Sequence, residues 1–359
     1  MTTVMIMAGG TGGHVFPALA VARVLQARSC HVVWLGTRAG LEARVVPAEG
    51  IAMQWISVTG VRGKGIKRLL IAPFIVMRAV IQSCVAMHQT KPDVVLGLGG
   101  FVSGPGGIAA WLTRRPLVIH EQNAISGTTN KILARFASVV AQAFPDSFSP
   151  RIVTATIGNP VRASIEALGA REPSPSKRRL RLLVVGGSLG AQALNTCVPL
   201  ALATLSESVR PEVCHQTGRD RQAAVQAAYQ ALGMDAQVQE FIEDMAQAYA
   251  WADLVVCRSG ALTVAELAAA GLPSVLVPFP AAVDDHQTAN ARYLQSRGAA
   301  VLMPEHDLRA GALSAVLNQL LGTDNEQRLA MAKAARAAAV PGAAERLADL
   351  CLQQIRVAA

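Results

Sequence analysis

The 359-residue chain is 52% hydrophobic and only 4% aromatic, and its formal net charge at pH 7 is +9. This length predicts two domains of ordinary size, and the abundance of small aliphatic residues favours parallel sheets buried on both faces. Six cysteines without a Cys-x-x-Cys pair predict buried, reduced thiols in a cytosolic protein and argue against a zinc site.

The charge is distributed unevenly along the chain. Residues 1–160 hold 15 Lys and Arg against 5 Asp and Glu, a net of +10, whereas the remainder holds 18 against 19, a net of −1. A basic first half indicates an anionic ligand or surface for that half. We expect no signal peptide, because the first predicted strand begins almost at the first residue.

A glycine loop follows the first predicted strand. Residues 4–8 predict a buried strand, residues 9–13 a glycine loop and residues 15–22 a helix. The loop is not the dinucleotide fingerprint, because Val15 stands where the third glycine would be and no acidic residue ends the second strand, 31–35. NAD is therefore disfavoured, and the loop suits another phosphate or a sugar; the alternative is a simple tight turn.

His14 ends this glycine loop. It would point from the loop into whatever the loop binds, which favours a direct chemical role, although a histidine at such a position is often only a local cap.

Strands and helices continue to alternate through the first half. Residues 93–98 predict a strand that ends in a second glycine loop, 99–107, before a helix at 108–112. Further strands are predicted at 117–120, which is followed by Glu121, Gln122 and Asn123, and at 139–143. The two glycine loops and the polar end at 120–123 should converge on one crevice.

The pattern restarts after a linker rich in Pro, Ser and charge at residues 171–179. The strand at 182–185 and the glycine loop at 186–192 are a rough internal repeat of residues 4–20. We therefore expect two similar α/β domains that face each other. Further strands should end near residues 218 and 245, and the alanine-rich tail, 326–357, should be helical.

The most informative stretch is residues 253–273. An apolar strand, 253–257, runs into the small-residue turn 259–261, and a short helix follows that is stopped by Gly271 and Pro273. Such a helix N-terminus is an anion site suited to a pyrophosphate, and Glu266, about one turn further in, could accept from both hydroxyls of an attached ribose. The alternative is that Thr263 and Glu266 form a capping box.

A second apolar strand at 273–278 then leads into the polar loop 284–291. Open α/β sheets bind ligands at the carboxyl ends of neighbouring strands, where these polar groups lie. This favours a binding site for pyrophosphate and ribose over a capping box.

At this point the sequence closely resembles the MurG family, the bacterial peptidoglycan N-acetylglucosaminyltransferases, which are inverting enzymes of GT-B architecture. The matching stretches are GGTGGHVFPALAVA, KPDVVLGLGGFVSGPGG, HEQN, GNPVR, LLVVGGSLGA, CRSGALTVAELAAAGLP and DDHQTANA. They occur in order over nearly the whole chain. The resemblance implies an α/β fold of two Rossmann-like domains facing across a cleft: an acceptor and membrane-facing domain at 1–162, a UDP-sugar domain at 163–340, and a last helix, 341–359, packed back on the first domain.

The resemblance also implies roles for individual residues. Thr11, Gly12 and Gly13 would border the crevice near the donor sugar and the acceptor phosphate, and His14 is the candidate general base. Asn123 would contact N-acetylglucosamine, Arg162 and Ser188 would reach the nucleotide, and Ile242 would lie beside the uracil. Ala261, Leu262 and Thr263 would hold the pyrophosphate, with Val264 and Ala265 in the same binding segment; Glu266 would take the ribose hydroxyls and Gln287 the sugar hydroxyls. Family members often have Tyr where this chain has Phe101, so Phe101 is left out of the site.

The activity implied is transfer of N-acetylglucosamine from UDP-N-acetylglucosamine to the C4 hydroxyl of lipid I, giving lipid II and UDP with inversion. We expect neither a metal nor another cofactor, because helix N-termini would neutralise the leaving pyrophosphate and no Asp-x-Asp motif stands where a diphosphate would lie. We expect no nucleic-acid partner; other cell-wall synthesis proteins are candidate partners.

Two other functions compete with this one. A UDP-N-acetylglucosamine 2-epimerase would share the fold but needs no lipid acceptor, which a basic, apolar first domain argues against. A non-catalytic membrane-surface scaffold would not need His14, Asn123, Glu266 and Gln287 intact.

The expected location is the cytoplasmic face of the inner membrane, bound peripherally. Residues 63–78 combine Lys64, Lys67, Arg68 and Arg78 with several large apolar side chains, and residues 111–115 have the same mixture. The alternative is an ordinary core-facing helix. The apolar residues nevertheless cover more of the circumference than a core-facing stripe needs, so we expect salt-sensitive binding to anionic lipid. The apolar run, 69–77, contains Pro73 and is too short to span a bilayer.

Overall fold

The computed structural model describes residues 1–58, 66–170, 178–187, 190–322 and 326–358. Two units can be separated: Met1–Arg162 together with Gly342–Ala359, and Ala163–Pro341.

Among the described residues of the first unit, seven parallel strands form one sheet in the order β3-β2-β1-β4-β5-β6-β7. The strands are β1 (Thr3–Met7), β2 (His31–Gly36), β3 (Ala52–Trp55), β4 (Val94–Gly97), β5 (Leu117–Glu121), β6 (Val139–Gln142) and β7 (Ala155–Thr156). The helices between them are α1 (Gly12–Ala27), α2 (Glu42–Ala48), α3 (Ile66–Thr90), α4 (Ser103–Leu112) and α5 (Thr128–Leu133).

Residues 4–7 of strand β1 are all apolar because both faces of the strand are buried there. Val4 and Ile6 belong to the core cluster on the α1 side of the sheet, whereas Met5 and Met7 belong to the cluster on the opposite side, with residues of α3 and α4. Alternate side chains of a strand point to opposite faces, so a strand covered on both faces has no polar position. Val4 pairs with Val32 on one side and Val94 on the other, which places β1 in the middle of the sheet.

Helix α4 is longer than the sequence predicted. The glycine loop was expected to run to residue 107, but the helix already begins at Ser103. The later glycines allow close packing and do not form a loop: a Cβ at Gly106 would collide with Sδ of Met7, and one at Gly107 would come 2.6 Å from Cδ2 of Leu133. The prediction of a loop over 103–107 was therefore wrong.

Helix α3 runs from Ile66 to Thr90 and contains Pro73. The sequence predicts that Pro73 interrupts the apolar run, but this proline is the eighth residue of the helix and does not end it. One face of α3 reaches the core through Ala79, Ser83, Ala86 and Met87, which are buried.

The described part of the second unit contains a six-stranded parallel sheet in the order β10-β9-β8-β11-β12-β13. Its strands are β8 (Arg181–Val185), β9 (Glu212–Gln216), β10 (Gln237–Gln239), β11 (Leu254–Cys257), β12 (Ser274–Leu276) and β13 (Ala300–Leu302). Its helices are α6 (Ala163–Glu166), α7 (Gln192–Ala203), α8 (Gln222–Ala231), α9 (Met245–Trp251), α10 (Ala261–Ala270), α11 (His286–Gln295), α12 (Ala310–Leu321) and α13 (Glu326–Ala338).

The helical tail is broken into two helices that belong to different units. Helix α13 stays with the second sheet, and after Pro341 and Gly342, whose φ is 72°, helix α14 (Ala343–Ala358) begins. Leu347 and Cys351 of α14 are fully buried in the core cluster that also contains α1. The last helix therefore completes one face of the first sheet.

The predicted fold class, two Rossmann-like α/β domains, is confirmed by these two parallel sheets. Each of the six cysteines is unpaired, and all except Cys84 are buried. Burial raises the pKa of the Cys257 thiol to about 12, which keeps it protonated and inert.

Candidate functional site

Each sheet has a switch point in its strand order, and a glycine loop lies beside it. In the first unit the chain leaves β1 towards β2 on one side and places β4 on the other, so the loops after β1 and β4 flank the same point. In the second unit, β8 and β11 have the same relation. Ligands of open α/β sheets bind at the carboxyl ends of strands beside such a point.

The two glycine loops of the first unit touch each other through their backbones. Gly99 and Gly100 have φ values of 94° and 79°, in the region that favours glycine. A Cβ on Gly100 would collide with the carbonyl of Gly9, and a Cβ on Gly99 would come 2.9 Å from Nδ1 of His14. Only glycine at both positions lets the second loop approach the first and lets the imidazole lie against it.

The predicted residues Thr11, Gly12 and Gly13 lie at the N-terminus of α1. Thr11 is the N-cap residue, with extended backbone and no side-chain cap, and the helix starts at Gly12, three residues earlier than expected. Thr11 and Gly13 are exposed. His14 is thus the third residue of the helix and half-buried.

Below the first glycine loop lies a buried carboxylate, Glu42, which the sequence analysis missed. Its Oε2 accepts from the N–H of Gly10 at 3.0 Å, and its Oε1 accepts from the N–H and hydroxyl of Thr37 at 3.0 and 2.7 Å. The residue is fully buried. The Glu42 side chain therefore connects the glycine loop to Thr37 after β2, and the Gly10 N–H already has an acceptor from the protein.

The end of β5 contributes a hydrogen-bonded polar cluster, as the stretch 120–123 predicted. Oε1 of Glu121 accepts from the backbone and side-chain nitrogens of Asn123 at 2.9 and 3.2 Å. Its Oε2 accepts from the N–H of Gly127 at 3.0 Å and from Nδ2 of Asn130 at 2.9 Å. Glu121 therefore orients Asn123, and its own carboxylate is already committed.

Gln122 connects β5 to the glycine loops. Its Oε1 lies 3.3 Å from Nδ1 of His14, and its Nε2 donates to the carbonyl of Leu98 at 2.6 Å. The position of Gln122 between Glu121 and Asn123 predicts that it lies at this edge of the sheet, but not that it contacts His14. His120, by contrast, is fully buried; desolvation lowers its pKa to about 4, so the ring is neutral and its Nε2–H donates to the carbonyl of Gly158 at 2.9 Å.

The second unit presents the N-terminus of α10, as predicted from residues 253–273. Gly260 is the N-cap, so Ala261, Leu262 and Thr263 form the first turn, whose N–H groups point out of the end of the helix. Val264 and Ala265 lie further in: the N–H of Val264 donates to the carbonyl of Gly260 at 2.9 Å. Because Thr263 is inside the helix and not at its N-cap, the capping-box alternative is wrong.

Glu266 is held by a tyrosine that the sequence analysis missed. The residue is only 5% exposed, and its Oε2 accepts from the hydroxyl of Tyr249 at 3.1 Å. Tyr249 lies on α9, 17 residues earlier in the chain, and is itself 2% exposed. A buried carboxylate anchored through one oxygen has a fixed orientation, as a specific acceptor for ligand hydroxyls requires.

Gln287 lies at the start of α11. Its Oε1 accepts from the N–H of Phe279 at 2.9 Å, and its backbone carbonyl accepts from the hydroxyl of Ser259 at 2.8 Å. An N–H can only donate, so the amide orientation is fixed and the NH₂ end remains to serve a ligand as a donor. Next to it, Arg258 joins the carbonyls of Val277 and Pro278 to the carboxylate of Glu305 and so braces the ends of β11 and β12.

The structure gives less information on three other predicted residues. Ser188 lies outside the described residues. Ile242 is buried in the segment after β10. Arg162 belongs to the first unit, where its guanidinium lies 5.8 Å from the ring centre of Phe16, beside the first glycine loop.

The residues that were missed carry weak sequence signals. Glu42 lies six residues beyond the end of β2, and Tyr249 lies in an alanine-rich helix. Nothing in their spacing indicates that they reach Gly10 and Glu266. For Gln122, the signal was present in its position between Glu121 and Asn123 at a strand end.

The first unit also has an exposed apolar stripe along α3, made of Ile71, Phe74, Met77, Ile81 and Val85, which are 50 to 67% exposed. At 100° per residue these positions fall within one face of the helix, opposite Ala79, Ser83 and Met87. Trp111 and Leu112 at the end of the packed neighbour α4 are exposed as well. Among the described helices, the segment Ile71–Thr90 has the length and composition to cross a membrane, so the prediction that this apolar region is too short for a span was wrong.

Two parallel sheets with ligand-binding loops at their switch points, and a helix N-terminus followed by a buried carboxylate, are the features of the GT-B fold. Residues 4–142 match the glycosyltransferase family 28 N-terminal domain and residues 181–347 match its C-terminal domain. The chain belongs to glycosyltransferase family 28.

Curated relatives match almost the whole chain. The protein named UDP-N-acetylglucosamine--N-acetylmuramyl-(pentapeptide) pyrophosphoryl-undecaprenol N-acetylglucosamine transferase from Nitrosococcus oceani is 54% identical over 352 residues, covering 98% of each chain. Its namesake from Marinobacter nauticus is 52% identical over 351 residues, covering 97% of this chain and 96% of its own. The crystal structure of Acinetobacter baumannii MurG superposes with a TM-score of 0.82 at 40% identity, covering 98% of this chain and all of that one.

Proposed function

We propose that the chain transfers N-acetylglucosamine from UDP-N-acetylglucosamine to the C4 hydroxyl of the N-acetylmuramyl group of lipid I, giving lipid II and UDP. The observation that carries this proposal is the identity of more than half of all residues, over nearly the full length, with transferases named for this donor and acceptor. The geometry of both units supplies groups of the kinds that the reaction needs.

The second unit is proposed to bind the donor. The N-terminus of α10 has no acidic residue in its first turn, so its N–H groups and dipole suit the pyrophosphate of UDP. Glu266 would accept from the ribose hydroxyls, and the NH₂ group of Gln287 would donate to a sugar hydroxyl. Ile242, Ser188 and Arg162 are proposed to complete the nucleotide site.

The first unit is proposed to bind the acceptor and not a nucleotide. In its first glycine loop the Gly10 N–H is already satisfied by Glu42, and a second carboxylate, Glu121, lies at the end of β5. His14 and Asn123 present polar atoms at this edge of the sheet, and Asn123 is proposed to contact the N-acetylglucosamine.

In the proposed reaction the C4 oxygen of the acceptor bonds to the anomeric carbon while the bond from that carbon to the β-phosphate oxygen breaks. The bonding pair leaves with UDP, where the helix dipole stabilises the developing charge, and the hydroxyl proton passes to His14. Attack from the face opposite the leaving group inverts the α-linked sugar to a β-linkage.

Peripheral docking on the cytoplasmic face of the membrane is the second part of the proposal. The acceptor's polyprenyl chain stays in the bilayer, so the enzyme must reach the surface. The α3 stripe, with Trp111 and Leu112 on α4, exposes large apolar side chains next to the exposed Arg78 and Arg114. Burial of the opposite face of α3 in the core of the first unit supports lying on the membrane over spanning it. Lys64 is outside the described residues.

The function is tested by turnover with radiolabelled UDP-N-acetylglucosamine and a short-chain analogue of lipid I. Transfer of label to the analogue supports the proposal. Conversion of the label to UDP-N-acetylmannosamine, or to free N-acetylmannosamine and UDP, without transfer would identify an epimerase. The absence of any of these reactions would favour a non-catalytic scaffold.

A further inference from the structure

The side-chain amide of Gln122 is held in one orientation. Gln122 is only 2% exposed, and one end of its amide lies 2.6 Å from the carbonyl oxygen of Leu98. A carbonyl oxygen can only accept, so the NH₂ end must face Leu98 and Oε1 must point the other way. The backbone is fixed as well, because the Gln122 carbonyl accepts from Nδ2 of Asn159 at 3.0 Å.

This orientation determines which nitrogen of His14 carries a proton. Nδ1 of His14 lies 3.3 Å from Oε1 of Gln122. An amide oxygen can only accept, so Nδ1 must be the donor. In a neutral imidazole one nitrogen is protonated and the other has the lone pair, so this contact leaves the lone pair on Nε2.

Gly99 keeps the imidazole in this position. The ring lies so close to the Gly99 backbone that a Cβ there would come 2.9 Å from both Nδ1 and Cε1, and that Cβ would be 3.6 Å from Oε1 of Gln122. The second glycine loop therefore packs against the same edge of the ring that faces the amide.

We propose that Gln122 is a positioning residue that selects the Nδ1–H tautomer of His14 and so presents Nε2 as the proton acceptor. The catalytic consequence rests on the proposed function, in which His14 takes the proton of the acceptor hydroxyl. Catalytic histidines commonly have a carboxylate in this place. Here the carboxylate next in the chain, Glu121, is committed to Asn123, Gly127 and Asn130, and an uncharged amide sets the tautomer without adding negative charge near diphosphate substrates.

The tautomer can be measured directly, without turnover. We would label histidine with ¹⁵N and record long-range ¹H–¹⁵N spectra at pH 8, above the ordinary histidine pKa of about 6.5. His14→Gln assigns the His14 signals among the seven histidines. The wild type should show a protonated Nδ1 and an unprotonated Nε2, and Gln122→Met should show a mixture of tautomers or the opposite one.

Turnover of the same variants tests the consequence. Gln122→Met should lower kcat by roughly 10- to 100-fold, part of the 10²–10⁴-fold that a general base contributes, and change the donor KM by less than about twofold. Gln122→Glu should retain the Nδ1–H tautomer and more of the activity than Gln122→Met, because glutamate offers an acceptor oxygen in either protonation state. The matched control is Gln142→Met, since Gln142 is equally buried on β6 and donates only to Thr156 in the contacts of the described structure.

The outcomes are separable. A protonated Nε2 in the wild type, or an unchanged tautomer in Gln122→Met with thermal unfolding like that of Gln142→Met, would overturn the proposal. A shifted tautomer with unchanged kcat would overturn its catalytic part. If the wild type transfers no sugar, the proposed function fails, but the spectra still decide the tautomer.

Discussion

Replacing Glu266 tests the ribose site most sharply, because the structure shows what else the carboxylate does. Glu266 is 5% exposed and already accepts from the Tyr249 hydroxyl through Oε2. Hydrogen bonds to a charged group contribute about 1.5–3 kcal/mol each. One such bond corresponds to about 10- to 150-fold in UDP affinity, at about 1.4 kcal/mol per tenfold, and Glu266→Ala removes the bonds to both ribose hydroxyls, so it should weaken UDP binding by at least this factor.

Calorimetry with UDP and 2′-deoxy-UDP separates a ribose contact from general damage. The wild type should bind the deoxy ligand about tenfold or more weakly, and Glu266→Ala should bind both ligands alike. Tyr249→Phe is the matched control: it removes the tyrosine contact but leaves the carboxylate, and should keep the preference for ribose. Discrimination by Glu266→Ala as strong as that of the wild type would refute the assignment.

Three further predictions concern the base, the leaving group and the membrane. His14→Ala should lower kcat about 10²–10⁴-fold with little change in UDP affinity, and a small loss with an unaltered pH–rate profile would leave His14 a structural cap. Exhaustive chelation should leave turnover intact if the α10 N-terminus stabilises UDP; complete loss restored by Mg²⁺ or Mn²⁺ would contradict this. The double substitution Phe74→Glu and Ile81→Glu should weaken binding to anionic vesicles about 30-fold, because about 2 kcal/mol of apolar burial is lost. The control Leu200→Glu changes an exposed apolar residue on α7 and should leave vesicle binding unchanged. Equal sedimentation of both variants would place the docking surface elsewhere.

Much of the fold could be predicted because its signals are local. A few consecutive residues are enough to identify apolar strands such as β1 and β11 and the glycine turns before α1 and α10. Gly271, with a φ of 68°, ends α10 as the sequence predicts. The glycines of α4 show the limit of this reasoning. Gly106 is needed for close packing against Met7, 99 residues away, and the sequence alone does not distinguish such a glycine from one that forms a turn.

The chemistry at the strand ends could be predicted only in part. His14, Glu266 and Gln287 stand next to loops that the sequence identifies, so their positions followed from the strand order. The partners that orient them did not: Gln122 is 108 residues from His14, and Tyr249 reaches Glu266 from another helix. Such pairs depend on which strands and helices become neighbours. The spacing of residues along one strand does not indicate those neighbours.

Transfer to the acceptor hydroxyl with inversion is tested most directly by the linkage of the product. Purified enzyme would be incubated with UDP-N-acetylglucosamine and a short-chain lipid I analogue, and the disaccharide product analysed by NMR. We expect a β-linkage to the C4 oxygen of the muramyl ring together with one UDP released per disaccharide. An α-linkage, attachment at another hydroxyl, or consumption of donor without any disaccharide would contradict the account.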